Sequence, residues 1–199
     1  MSPMRIPAAS PLPESARRAP SSYPSQIDPT TCGIAALAVL AARAQADPGY
    51  LSRSRADVAR TQKALHAISA RAGLPWPQAL GASPWALAGL AEKATGLHHS
   101  IVLRGPSMGR RIDEALSRGR DVLVYTGGWS APLSGAIPRH VVLLLAHEDD
   151  DLYAVFEPSS GRVYSVSPQD FLIGAETARR ALGFWKRPLL ALVPDAPRN

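Results

Sequence analysis

The residues able to do chemistry begin with the only cysteine, Cys32, in the stretch Gln26-Ile-Asp-Pro-Thr-Thr-Cys32-Gly33 that runs on into Ile-Ala-Ala-Leu-Ala-Val-Leu. Thr30 and Thr31 are both suitable helix N-caps, which predicts Cys32 in the first turn of a helix. Unpaired backbone N–H groups and the positive end of the helix dipole favour an anion there. The thiolate, which is the nucleophilic form of cysteine, is therefore favoured. Gly33 would leave room beside the sulfur for a substrate backbone. The side-chain amide of Gln26 can donate to a developing oxyanion, with the Cys32 backbone N–H as second donor. A lone cysteine is otherwise most often a small apolar core residue, so the residues downstream decide between the two readings.

A cysteine nucleophile needs an imidazole in reach and a third group that holds the ring. Residues 140–146 and 152–157 read as strands, joined by the acidic run Glu148 to Asp151. With the hairpin tip at Glu148–Asp149, His140 falls opposite Glu157 on one face, their Cβ atoms roughly 4.5–5.5 Å apart. A register shift of two leaves them diagonal neighbours. A carboxylate beside the imidazole favours the cationic ring that stabilises a thiolate. The acidic tip itself lacks the glycine-containing loop of a calcium site. His98 and His99 are adjacent and point to opposite faces of a strand, a poor arrangement for a metal. No cofactor is expected.

Four motifs in order, Gln26-x5-Cys32-Gly33, Gly81-x-Ser83-Pro84-Trp85-x-Leu87, His140-Val-Val-Leu-Leu and Glu157-Pro158-Ser-Ser-Gly161, resemble the papain-like cysteine peptidases. Within them they are similar to the C39-like peptidase family, and the phytochelatin synthases share the opening motif. The resemblance spans Gln26 to about Leu172. It implies a papain-like α+β fold with Cys32 as nucleophile, His140 as base and then acid, and Gln26 in the oxyanion hole. Position 157 would orient the ring, although that family usually has Asp or Asn where this chain has Glu157. The implied activity is hydrolysis of a peptide or amide bond in a peptide or protein substrate. Two alternatives stay open: acyl transfer or deamidation through the same acyl-enzyme, and a peptide-binding pseudoenzyme impaired by the Glu157 change.

Periodicity and punctuation place these residues on elements. A turn at Asp47-Pro48-Gly49 precedes a helix opened by a Ser54–Asp57 capping box, with Val58, Leu65, Ile68 and Ala72 on its inner face and Gly73 at its end. Ser83-Pro84 opens a third helix carrying Trp85, Leu87 and Leu90 inward. A strand over 100–103, a helix over 107–118 and a strand over 121–125 follow. The long Gly/Pro/Ser segment 126–139 is expected near the substrate cleft. Strands at 162–166 and 189–193 and a short helix capped by Ser167 complete an α+β layout. Helices dominate the first half and antiparallel strands the second.

At 199 residues the chain fits one domain of 26–199, preceded by a Pro/Ser/Ala-rich arm over 1–25. One cysteine excludes an internal disulfide and a thiolate-rich metal site. The net charge of +6 comes mostly from dispersed arginines, Lys63, Lys93 and Lys186 being the only lysines. With no basic stripe bearing interleaved aromatics, nucleic acid is not an expected partner. No stretch approaches a membrane span or the apolar core of a secretory signal. A cytoplasmic location is the expectation, and leaderless export remains compatible with it.

Overall fold

The apolar run after Cys32 forms helix α1 (Cys32–Ala44), whose residues from Cys32 through Leu40 are all buried. A helix apolar all round has to be covered on every side, and the rest of the chain is built about it. The computed structural model describes residues 21–45, 47–72, 76, 81–128, 138–146 and 151–196. A 3-10 turn (Pro48–Ser52) leads to α2 (Arg55–Ser69), with Ser54 as N-cap accepting from the Asp57 N–H. Next come α3 (Pro84–Thr95), capped by Ser83 and closed by left-handed Gly96, and strand β1 (His99–Leu103). Helix α4 (Pro106–Ser117), strands β2 (Val122–Gly127), β3 (Pro138–Leu145), β4 (Tyr153–Glu157) and β5 (Arg162–Val166), helix α5 (Pro168–Ile173) and strand β6 (Arg187–Pro194) complete the order.

Among the described residues the six strands form one antiparallel sheet in the order β1-β6-β2-β3-β4-β5. Side chains alternate between its faces. Leu123, Tyr125, Val141 and Leu143 join the core of α1 and α3, whereas Val122, Val124, Val142 and Leu144 join that of α4 and α5. The α+β expectation holds, with two additions. Helices cover both faces, and β1, from the first half of the chain, supplies a sheet edge. Runs such as Val-Val-Leu-Leu in β3 are continuous rather than alternating because both faces are buried.

Helix α2 departs from its expected inner face. Val58 is buried and Leu65 partly so, but Ile68 is 50% exposed and Gln62 is fully buried. Gln62 earns that place by accepting from the Ile27 N–H at 3.1 Å and donating to the Ser25 carbonyl at 3.1 Å. It therefore ties α2 to the segment leading into Cys32. The described residues 21–25 of the expected arm lie against the body of the protein. Val163 N–H donates to the Ser21 carbonyl, Tyr23 N–H to the Gly161 carbonyl, and the Tyr23 ring is buried edge-on against Phe156.

A buried ion pair fixes the far end of α1. Arg43 meets Asp121, just before β2, through Nε at 2.7 Å and a second nitrogen at 3.2 Å. It also donates to the Ala146 carbonyl and the Tyr23 hydroxyl. Burial alone would lower the Arg43 pKa, but the Asp121 carboxylate outweighs it and the net shift is upward. The central part of the 126–139 segment and residues 147–150 at the acidic hairpin tip lie outside the described residues.

Candidate active site

Cys32 is the first residue of α1, as its position after two threonines predicts. The cap differs from expectation. Thr31 occupies the N-cap position, yet its hydroxyl turns back, donating to the Asp28 carbonyl at 3.0 Å and accepting from the Asp28 N–H at 3.2 Å. No side chain caps the helix, so the N–H groups of its first turn stay available to a ligand. Asp28 also gathers the Thr30 N–H and hydroxyl on one carboxylate oxygen, making a closed turn ahead of the cysteine. Gly33 serves packing rather than substrate access. A Cβ there would lie 2.8 Å from Leu87 of α3 and 3.3 Å from Val141 of β3, so the glycine lets the helix seat closely.

The His140 imidazole lies close enough to the Cys32 thiol for the two to interact electrostatically. On the ring's other side Nε2 donates to Glu157 Oε1 at 2.8 Å, which leaves Nδ1 as the nitrogen for the thiol. Glu157 is 1% exposed and His140 is 7% exposed. The register explains the pairing. The β3–β4 ladder ends at Leu143–Phe156, so continuing it puts Val142 opposite Glu157 and His140 on the diagonal. The register thus sits two residues from the turn-centred expectation. The diagonal gap is longer than a directly facing one, and the extra methylene of glutamate spans it.

The turn after β4 holds the carboxylate in place. Ser159 N–H donates to Oε1 at 2.8 Å, the Ser159 hydroxyl donates to the same oxygen, and Ser160 N–H donates to Oε2 at 2.9 Å. Burial opposes ionisation of Glu157, but His140 and these donors prevail and hold its pKa at about 2. Burial likewise opposes the charged ring. Its interactions with Cys32 and Glu157 outweigh that and raise the His140 pKa to about 9. Both shifts favour a charged ring beside an ionised Glu157.

Gln26 reaches the same neighbourhood through its backbone, its N–H donating to the Pro158 carbonyl beside Glu157. The side-chain Nε2 donates to the Asp28 carbonyl at 2.8 Å, leaving one further hydrogen, while Oε1 is buried without a partner among the described residues. Two further residues have no chemical signature in the sequence. Gly183, left-handed at φ 63°, lies so close to the ring that a Cβ would sit 2.3 Å from His140 Cδ2 and 2.6 Å from Nε2. Tyr125, fully buried near Cys32, donates to the Ala82 carbonyl, and burial pushes its pKa well up. His99 is buried with Nδ1 donating to Leu97, and no metal-holding group of three ligands occurs among the described residues. No described helix is long and apolar enough to cross a membrane.

No family model and no curated protein sequence matches the chain. Solved structures do. The peptidase domain of Streptococcus ComA, a bi-functional ABC transporter involved in quorum sensing, is similar at 15% identity and a TM-score of 0.46, over 88% of this chain and 100% of that one. The Pseudomonas avirulence protein AvrPphB is similar at 11% identity and a TM-score of 0.51, over 89% and 97%. At these identities the likeness concerns the fold, and together with the helix-borne cysteine seated against an antiparallel sheet it establishes that this chain has the papain-like cysteine peptidase fold.

Proposed function

We propose that the protein is a cysteine peptidase of the C39-like kind, attacking a peptide or amide carbonyl with Cys32. What supports this most is one arrangement: a buried imidazole beside the thiol, held on its other side at 2.8 Å by a cradled carboxylate. The Cys32 sulfur, as thiolate, adds to the carbonyl carbon. The oxyanion that forms is taken by the Cys32 N–H, and by the Gln26 amide through its remaining hydrogen. His140 delivers its Nδ1 proton to the leaving amine as the C–N bond breaks, giving a thioester and a neutral ring. Water then adds to the thioester, losing its proton to His140, and the thiolate departs with the acid product released. Glu157 keeps the ring oriented and stabilises its cationic form throughout.

The test is covalent and catalytic together. The epoxide E-64 should label the intact protein once, at Cys32, and peptide hydrolysis should vanish in Cys32→Ala. A folded protein that neither labels nor cleaves would exclude the peptidase.

A further inference from the structure

A groove of about 700 Å³ opens beside His140, between the α5 end and the segment leading into β6. Gly183 lines it and is the residue pressed against the Cδ2–Nε2 edge of the ring. The groove thus comes within one residue, Gly183, of the imidazole edge away from the nitrogen left for Cys32. Its rim is apolar at Ile173, 58% exposed, and at Phe184, 67% exposed. Phe184 is the one non-glycine among the described residues with a left-handed backbone, at φ 66°. Such strain persists where the surroundings impose it, and it concentrates at functional sites.

The charge in the groove is unbalanced. Arg179 is matched by Glu176 at 3.1 Å. Lys186 and Arg187 also line the groove, and among the described residues neither has a carboxylate partner. Among the described residues Arg187 Nε is buried with no hydrogen-bond acceptor, so no described partner ties this guanidinium down and its charge is left to act on the groove. Gly128, left-handed at φ 91°, lies against the stems of both basic side chains, Lys186 Cβ and Arg187 Cγ.

Resting on the peptidase reading, we infer that this groove receives the leaving-group side of the substrate and selects an acidic residue next to an apolar one. The direction follows from the chemistry. The scissile carbonyl must sit at the sulfur and the leaving nitrogen at His140 Nδ1, so the chain beyond that nitrogen runs on over the His140 flank. A carboxylate side chain there meets Lys186 and Arg187, and its apolar neighbour lies against Phe184 and Ile173.

The experiment is cleavage of a diverse synthetic peptide library by the full chain, read by mass spectrometry, with Cys32→Ala as blank. Asp and Glu should be enriched within two positions after the broken bond. For a matched pair of peptides with Glu or Gln there, the wild-type cleavage ratio should favour Glu by about tenfold. The double variant K186Q/R187Q should bring that ratio near one; a ratio within one sample does not depend on the fraction folded. Phe184→Gly should raise the melting temperature by relieving the backbone while raising KM for the same peptides. Cys32-dependent cleavage indifferent to acidic residues, or a preference that survives in the double variant, overturns the subsite alone. An unchanged KM in Phe184→Gly overturns the apolar half. Absence of any Cys32-dependent cleavage overturns the peptidase and the subsite together.

Discussion

Gly183→Ala is the sharpest perturbation of the proposed machinery, because it displaces His140 without replacing any reacting side chain. The added Cβ would lie 2.3 Å from His140 Cδ2, against an ordinary contact of 3.4 Å or more. The backbone at Gly183 is left-handed and also resists a side chain, so the ring has to give way by about 1 Å. That stretches the 2.8 Å bond to Glu157 past the useful limit of about 3.5 Å. It also moves Nδ1 relative to the sulfur, and a misplacement of about 1 Å costs on the order of 100-fold in rate. The left-handed backbone adds a strain of about 1–2 kcal/mol, seen as a lower melting temperature. Gly96→Ala supplies the control, since Gly96 is left-handed at φ 73° at the end of α3. The assay is kcat/KM on a cleaved peptide, beside the pH profile of Cys32 alkylation by iodoacetamide. Gly183→Ala should lose about 100-fold and alter the profile, whereas Gly96→Ala should lose stability only. Wild-type turnover in a folded Gly183→Ala protein, or an equal loss in both variants, would refute the argument.

Other expectations concern charge and packing. Glu157→Gln keeps the size but removes the anion, so the His140 pKa should fall from about 9 and the thiol should alkylate more slowly at neutral pH; an unchanged profile removes Glu157 from the site. Glu157→Asp is one methylene short of the diagonal reach and should lose activity too, measured as kcat/KM on the same peptide. The pair also makes stability depend on pH. Because the His140 pKa is raised from 6.5, its contribution is full below 6.5 and fades as pH rises through about 9. Because the Glu157 pKa is depressed from 4.5, its contribution is full above 4.5 and fades as pH falls through about 2. Melting temperature against pH should therefore show a shoulder at the alkaline end that Glu157→Gln removes. Asp121→Ala strands Arg43 in the core and should cost about 3–5 kcal/mol in urea unfolding, whereas Arg179→Gln, breaking an exposed pair, should change stability little.

The sequence by itself determined the elements whose signals are local. A cysteine after two threonines and before an apolar run starts α1, and Ser54, Ser83 and Ser167 open helices because a cap is chosen by the residues within one turn of it. His140 and Glu157 were legible as neighbours because strand periodicity confines two residues of a hairpin to a few registers. Which register is adopted was decided by the sheet, where β3 also pairs with β2 and both its faces are buried. Gln62 takes a buried place on α2 that the apolar pattern did not assign to it, because the Ser25 carbonyl and Ile27 N–H, 37 and 35 positions away in the chain, need a partner in the interior. Gly33 was legible as small but not as the point where α3 and β3 close on α1. Gly183 lies 43 positions from His140, and no local pattern links them. Only the folded chain brings a backbone without a Cβ against the imidazole, because close approach is a property of surfaces in space rather than of neighbours in sequence.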